Sequence, residues 1–338
     1  MVVNYEITSV AEQMGSLGCQ NLNAFLSQTT IMPLIVAEDL AKSYGRVIAV
    51  DGLNLTLDEG SVTGLIGPNG AGKTTTIKMI LGLLKPDRGY VKVFGQDPWD
   101  NTAIRSLIGV VYEKAFFPPH QKTLDYLKRV CRVFGVPESR ALEVLELVNL
   151  QEASDRPIHA LSAGMLQKFA IAHALIHEPK LVVADEMTAN LDPQARSALL
   201  DLVLQLNKDG EVTFLLSSHI LSELSRVCDS VAIVNQGKVW AYGKLTELYE
   251  KYAVGIIRIS TDNPEALAYE IKKLNYIEKL ETSLRGISVR VIEGKEEKLY
   301  EDAPKLAKKI KAKILGIETG SASLEELYRL AVGTKERK

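Results

Sequence analysis

Short apolar runs alternate with longer amphipathic segments between about residues 34 and 248. Buried strands are predicted at Ile108–Val111, Leu181–Glu186, Val212–His219 and Val231–Val234, and apolar residues recur at helical spacing in several of the segments between them. The run that starts at Leu181 is continuously apolar until it ends in two acids, as a central strand requires when both of its faces are covered. Strands that alternate with helices in this way predict an α/β domain with a largely parallel sheet.

A helical stretch interrupts this alternation. Amphipathic helices are predicted in residues 123–148, with a break at Gly135-Val136-Pro137, and a further helix from Leu161 to Ile176 opens at Ser162. We therefore expect a helical insert at about residues 115–162, within an α/β domain that spans residues 32–250.

The pattern changes again near Lys251. The apolar positions that follow predict a strand, a helix, two strands, a helix and a strand, which is the order of a split βαβ or ferredoxin-like unit. Residues 251–338 are thus expected to form a small α+β ferredoxin-like C-terminal domain. Its last helix, SLEELYRLAVG, is predicted to begin with a capping box formed by Ser323 and Glu326.

The first 31 residues carry no steady apolar period and no basic side chain, since the first positive charge is Lys42. Residues 1–31 are therefore expected to be a poorly ordered N-terminal extension that is neither a signal nor a transit peptide. One hypothesis is that translation begins at Met32, where the regular pattern starts.

Composition narrows the classes of function. The 338 residues include 40 Lys and Arg against 42 Asp and Glu, a net charge of -2, so no nucleic-acid partner is expected. No apolar run approaches the roughly 18 residues that a membrane span needs, so attachment to a membrane would require a partner. The three cysteines, Cys19, Cys131 and Cys228, lie far apart, which argues against disulfides and zinc.

A glycine-rich turn joins an apolar strand to a helix start in the stretch Ser61–Thr76, SVTGLIGPNGAGKTTT. Its spacing matches G-x-x-x-x-G-K-[ST], in which backbone N–H groups and the helix N-terminus face a triphosphate. ATP or GTP binding follows, with the lysine on the β and γ phosphates and the first threonine completing the shell of Mg²⁺. The expected binding residues are Gly67, Pro68, Asn69, Gly70, Ala71, Gly72, Lys73, Thr74 and Thr75.

Two acids end the apolar strand that begins at Leu181. Asp185 can orient the magnesium shell and Glu186 can take a proton from an attacking water. His219 ends the next predicted strand after two serines, on the same edge of a parallel sheet, where its imidazole can reach the γ phosphate. We expect Glu186, His219 and Lys73 to be catalytic.

A further stretch, LSAGM at Leu161–Met165, places a serine cap and a glycine at a helix start and so makes a second anion site. Together with GPNGAGKTT, LVVADE, ANLDP and SSH, in that order, it resembles the nucleotide-binding domain of ABC transporter ATPases over about Leu34–Leu248. The resemblance implies a P-loop NTPase fold: a RecA-like core with an antiparallel β subdomain and a helical insert.

The same resemblance implies roles for particular residues. In this family two domains pair head to tail, and ATP lies between the phosphate loop of one and the signature stretch of the other. Ser162 and Gly164 would then complete the site of a partner chain, and Asp192 would cross the same interface. Tyr44 matches the aromatic residue that stacks on adenine. Glu186 resembles the catalytic base and His219 the switch histidine.

One position departs from the family pattern. The residue that is usually a glutamine between the phosphate loop and the insert is matched best by Glu113, with Gln121 as the competing candidate eight residues later. A glutamate oxygen still binds magnesium, so the predicted metal ligands are Thr74, Glu113 and Asp185. Ala163 and Met187 replace the usual signature glycine and the usual proline, and neither change removes a catalytic group.

The leading interpretation is an ATP-hydrolysing subunit that dimerises around two MgATP and drives a separate membrane permease, from the cytoplasmic face of the membrane. The C-terminal segment resembles the accessory domain of exporter ATPases, which favours export. Two roles for this domain are equally open, stabilising the dimer and regulating it. A non-transport ABC ATPase acting on ribosomes or DNA is the alternative, although this chain lacks the second ATPase domain or long coiled coil usual there. A P-loop kinase or GTPase would leave LSAGM and His219 unexplained.

Overall fold

The computed structural model describes residues 33–210, 212–253, 256–284, 286–292, 294–319, 324, 327–328 and 332. The expected extension at residues 1–31 and the capping box of Ser323 and Glu326 lie outside the described residues.

The strands of residues 35–244 form two sheets. In chain order they are β1 Ile35–Tyr44, β2 Val47–Leu57, β3 Val62–Ile66, β4 Arg88–Val93, β5 Ile108–Tyr112, β6 Leu181–Asp185, β7 Thr213–Ser218, β8 Ser230–Asn235 and β9 Lys238–Lys244. The larger sheet has the order β5-β6-β7-β3-β8-β9 and is parallel except for β9. The smaller sheet, β2-β1-β4, is antiparallel. This is the α/β core with an antiparallel subdomain that the sequence predicts.

The helices between these strands are α1 Lys73–Ile80, α2 Thr102–Arg105, α3 Thr123–Phe134, α4 Arg140–Leu147, α5 Ala163–Leu175, α6 Pro193–Gly210, α7 Leu221–Leu224 and α8 Leu245–Ala253. Helices α3 and α4 lie where the helical insert is expected, and Gly135 ends α3 in the left-handed conformation that favours glycine. Helix α7 is a single turn.

Two buried clusters hold the sheet in place. Every residue of β3, β6 and β7 is buried, because helices or the small sheet cover both faces. The parallel pairs β6–β7 and β7–β3 carry their residues in register, so the three strands end at one edge. The phosphate loop, Glu186 and His219 directly follow these strand ends, and Asp185 is the last residue of β6.

The edge strand β9 was not predicted from the sequence. It pairs antiparallel with β8 after the tight turn at Gln236 and Gly237, both of which have positive φ. Only one of its seven residues is buried, so its apolar pattern is weak. Because most of its side chains are exposed or half-buried, the strand lacks the alternating apolar pattern from which strands are predicted.

The C-terminal strands form a separate four-stranded sheet. They are β10 Ile256–Thr261, β11 Ile277–Ser283, β12 Gly286–Val291 and β13 Ile314–Thr319, with α9 Pro264–Ile271 and α10 Glu296–Lys309 between them. The order is β11-β12-β10-β13 with every neighbouring pair antiparallel. The assignment of this sheet and its two helices to a ferredoxin-like domain stays a prediction. Apolar residues of β10, β12, α9 and α10 form its own core.

Two leucines near the C-terminus pack away from that small core. Leu324 and Leu327 are buried and belong to the same cluster as Leu245, Leu248 and the α/β core. These two leucines therefore pack against the core of the α/β domain. Among the residues described, no helix combines the length and the apolar character needed to cross a membrane.

An aromatic cluster joins the loop after β5 to the helical insert. Phe117 makes edge contacts with Tyr126 at 5.4 Å, Phe169 at 5.0 Å and His173 at 5.6 Å between ring centroids. Burial, and then the neighbouring His177, lower the pKa of His173. The fold therefore holds this imidazole in its neutral form.

This burial predicts a pH-dependent stability. The unfolded chain binds a proton at His173 near pH 6.5, whereas the folded chain resists protonation until a lower pH, so stability is lost as the pH falls through that interval. Denaturant unfolding at pH 7.5 and pH 5.5 should show a smaller loss for His173→Phe than for the unchanged chain. Equal losses for the two proteins would remove His173 as a cause.

Candidate active site

The phosphate loop has its shape because two glycines lie against backbone that leaves no room for a side chain. A Cβ at Gly67 would come within 2.2 Å of the Val234 carbonyl oxygen. A Cβ at Gly72 would come within 2.4 Å of the Ala49 carbonyl oxygen, and Gly72 has φ of 103° immediately before α1. The loop therefore curls tightly between β8 and β2 and leads directly into the N-terminus of α1, where N–H groups attract anions.

Lys73 is the first residue of α1 and is only 6% exposed. Its ammonium donates to the carbonyl oxygens of Gly67 at 2.8 Å and Pro68 at 3.1 Å, so the side chain curls back over the loop. The same nitrogen lies 3.0 Å from Glu186 Oε1, a close ion pair that lacks the alignment of a hydrogen bond. The arrangement places one positive charge beside the loop, where the predicted phosphate site lies.

The carboxylate of Asp185 is held from two sides. Thr74 Oγ1 donates to Asp185 Oδ2 at 2.9 Å, and Ser217 Oγ donates to Asp185 Oδ1 at 2.6 Å. The structure thus brings together two of the three predicted metal ligands. In the described part of the chain no group of three or more His, Cys, Asp and Glu side chains is able to hold a metal alone. This donor set suits Mg²⁺, which needs few protein oxygens when substrate phosphates supply others.

Glu186 follows β6 in the left-handed conformation, with φ of 52°. A non-glycine residue is strained there by roughly 1–2 kcal/mol, and the backbone N–H of Glu186 is held by Ser217 Oγ at 3.0 Å. His219 Nδ1 lies 2.7 Å from Glu186 Oε2. The acid therefore contacts both the lysine of the phosphate loop and the histidine that follows β7. A carboxylate held this way is suited to accept a proton from water.

Two other predicted residues follow or end strands elsewhere in the two sheets. Tyr44 ends β1 and is half exposed, so its ring is accessible to a base. Glu113, after β5, accepts a hydrogen bond at its carboxylate from Asn190 Nδ2 at 3.2 Å. Gln167 Nε2 of α5 donates to the carbonyl oxygen of Glu113 at 2.8 Å. The segment after β5 is therefore tied to α5, while a metal contact by Glu113 stays a prediction.

The signature residues make local contacts at helix starts. Ser162 is exposed and caps α5 by accepting from the backbone N–H of Met165 at 3.3 Å. Asp192 Oδ1 accepts from the N–H groups of Gln194 and Ala195 and caps α6. Gly164 adjoins the same helix start, because a Cβ there would lie 3.0 Å from Ala195 Cβ. The starts of α5 and α6 thus lie side by side.

Sequence reasoning missed the contribution of Ser217 and Tyr112. Ser217 contacts both acids of the site. The one feature of the sequence that could have indicated this contact is the position of Ser217 on the strand next to β6 in a parallel sheet. Tyr112 pairs in register with Asp185 across β5 and β6. Burial, and then the negative charge of Asp185, raise the pKa of the Tyr112 phenol.

Known proteins with similar sequences are ATP-binding proteins of transport or resistance systems. The family model described as ABC transporter matches residues 50–189. A linearmycin resistance ATP-binding protein of Bacillus subtilis is 32% identical over 302 residues, covering 87% of this chain and 97% of the relative. A Nod factor export ATP-binding protein of Ralstonia nicotianae is 35% identical, covering 70% of this chain and 75% of the relative.

A solved structure matches as well. It is a dimeric ATP-binding cassette in a post-hydrolysis state with ADP and phosphate bound. This chain resembles it with a TM-score of 0.57 at 26% identity, over 62% of this chain and 98% of that one.

The double hydrogen bond of Ser217 predicts a specific defect. Ser217→Ala should raise the Mg²⁺ concentration needed for half-maximal ATP hydrolysis by roughly tenfold, because a group that orients a metal ligand is lost. Ser218→Ala is the matched control, since Ser218 Oγ accepts from the Ile220 N–H and touches neither acid. An unchanged magnesium requirement in Ser217→Ala would contradict the orienting role.

Proposed function

The chain belongs to the ABC transporter ATP-binding family, and from this premise we propose that two copies of it close on two MgATP and drive an exporter built from other polypeptides. The observation that carries the proposal is the contact chain Lys73–Glu186–His219 at one edge of the parallel sheet. As a member of this family, the chain is an ATPase of a transport system.

The site residues perform distinct steps in the proposed hydrolysis. Lys73 holds the β and γ phosphates by charge, and Glu186 takes a proton from the attacking water, whose oxygen bonds to the γ phosphorus as the bond to the β phosphate oxygen breaks. His219 holds Glu186 and reaches toward the γ phosphate. Thr74 and Asp185 would hold Mg²⁺, which neutralises phosphate charge when bound. Tyr44 would stack on the adenine.

The proposal of a dimer rests on the residues at the starts of α5 and α6. Ser162 and Asp192 use their side chains as helix caps, and both are exposed. A helix N-terminus with an exposed serine favours an anion from outside the chain. We infer that Ser162 and Gly164 bind the triphosphate held by a second copy, and that Asp192 crosses the same interface. The dimeric cassette with ADP and phosphate supports this arrangement.

The proposed permease would dock beside the segment that follows β5. Phe116 is fully exposed three residues after Glu113, an unusual position for a large apolar side chain. Basic residues are close by in the sequence, although such residues form a solvated face more often than a docking site. They are Lys114, Lys122, Lys128 and Arg129. Through this contact the chain would lie on the cytoplasmic face of the membrane. Gln167 would carry motion of the segment to α5.

Export is proposed because the name of one relative states it, and because the name of another states resistance to a compound. One is a Nod factor export protein and another confers linearmycin resistance. An action on ribosomes or DNA has no support among these relatives. The small C-terminal domain would accompany the ATPase in this export role, with residues 32–250 and 251–338 as the two units.

Removing the proposed base gives the sharpest test of the hydrolytic role. Glu186→Gln should lower turnover by at least about 10²-fold while ATP binding persists, because the amide cannot take the proton from water. It should also accumulate an ATP-bound dimer in size-exclusion chromatography. Lys73→Ala is the contrasting variant and should lose ATP binding itself. Turnover of Glu186→Gln near that of the unchanged chain would exclude Glu186 as the base.

A second variant tests the shared site. Ser162→Arg should abolish hydrolysis while a single chain still binds ATP, because the large cation blocks the phosphate of the neighbouring copy. The matched control is Ser139→Arg, since Ser139 is an exposed serine at the start of α4 whose side chain makes no cap. If Ser162→Arg loses ATP binding together with hydrolysis, Ser162 supports the fold rather than the partner site.

A further inference from the structure

A buried polar cluster connects segments that the proposed mechanism treats separately. We name it the Arg196 cluster, and it consists of Thr188, Arg196 and Glu223 together with the Leu191 carbonyl group. Thr188 Oγ1 donates to Glu223 Oε2 at 2.7 Å. Arg196 Nη1 lies 2.8 Å from Glu223 Oε1, and Arg196 Nη2 donates to the Leu191 carbonyl oxygen at 3.0 Å.

The cluster is shielded from water. Thr188 is 3% exposed and Glu223 is 7% exposed, while the Arg196 side chain is 24% exposed. A carboxylate in such a place is stable only while its partners stay in contact with it. The planar guanidinium donates to the Leu191 carbonyl oxygen while it forms an ion pair with Glu223. A lysine cannot reproduce this fixed double contact. The segments that supply these groups are therefore constrained to move together.

Each member comes from a segment of the proposed site. Thr188 follows Glu186 by two residues, and Leu191 directly precedes Asp192. Glu223 lies in α7, one turn after His219. Arg196 belongs to the first turns of α6, and its backbone N–H donates to the Asp192 carbonyl oxygen at 3.0 Å. The cluster thus connects the segment after Glu186, the segment that contains Asp192, and the segment that follows His219.

We propose that Thr188, Arg196 and Glu223 are positioning residues that couple two loops. These are the Asp192 loop, residues 186–192 between β6 and α6, and the His219 loop, residues 219–220 between β7 and α7. When Asp192 contacts a second copy, the loop that contains Asp192 moves, and Arg196 and Glu223 transmit this movement to α7. His219 and Glu186 then adopt the relative position that hydrolysis requires. This inference rests on the proposed function, because it requires ATP hydrolysis in a dimer. In this proposal the cluster links dimerisation of the chain to ATP hydrolysis.

A second ion pair provides a matched control. Arg226 Nη2 lies 3.2 Å from Asp201 Oδ1, and Arg226 Nη1 donates to Ser197 Oγ at 3.1 Å. This pair also links α6 to the segment after β7, but both side chains are more than half exposed and neither touches the Asp192 loop. Asp201→Asn therefore removes a bridge between the same parts of the fold without touching the coupling path.

The test uses substitutions that keep shape. Thr188→Val removes only the hydroxyl, and Glu223→Gln removes only the charge. Each should lower kcat by roughly tenfold while the KM for ATP stays within about twofold, since the loops are misplaced but the phosphate loop is not. Thr188→Ser keeps the hydroxyl and should retain normal kcat, as should Asp201→Asn. The double variant should be no worse than either single one, because the groups act as a unit.

Binding of a fluorescent ATP analogue to dilute protein and thermal unfolding complete the measurement. Unchanged binding and folding beside a lowered kcat support the proposal. Normal kcat in both Thr188→Val and Glu223→Gln overturns it, and so does a loss of ATP binding or folding that matches the loss of kcat, which indicates a structural role only. If the unchanged chain neither hydrolyses ATP nor dimerises, the proposed function itself fails and the inference falls with it.

Discussion

The structure depends on three neighbouring parallel strands that end at one edge of a sheet. Because β3, β7 and β6 are adjacent and in register, the residues that follow them meet even though they are far apart in the chain. The phosphate loop follows β3, Asp185 ends β6 with Glu186 directly after it, and His219 follows β7. Parallel sheets place binding groups at the carboxyl ends of their strands for this reason. Any displacement among the three strands would separate the lysine from its acid.

The charged side chains at this edge of the sheet are largely buried and are held by neighbouring groups. Glu186 is held by Lys73 on one side and His219 on the other, and Ser217 fixes its backbone in a strained conformation. Strain and buried charge are stable here only because the surrounding strands over-determine the positions. We propose that this edge supplies one side of a nucleotide site. In the same proposal the exposed starts of α5 and α6, which carry Ser162 and Asp192, supply the other side to a second copy.

The sequence predicted best those features that are local in the chain. The phosphate loop, the acids after Leu181 and the serine cap of α5 are each short motifs with fixed spacing, and the structure has all three in place. Ser217 and the Arg196 cluster were not predicted, because they act through contacts between segments about thirty residues apart that no local pattern records. Strand β9 escaped notice because a mostly exposed edge strand lacks a clear apolar period. The role of Glu113 stays a prediction.

The central claim is that each nucleotide is shared between two chains. Its most direct test is the rate of ATP hydrolysis by the purified chain over a wide range of protein concentrations at saturating MgATP. If a second copy completes the site, the rate per chain rises with concentration at the dilute end and then levels off. A rate per chain that stays constant at every concentration, in protein that remains monomeric throughout, would contradict the account.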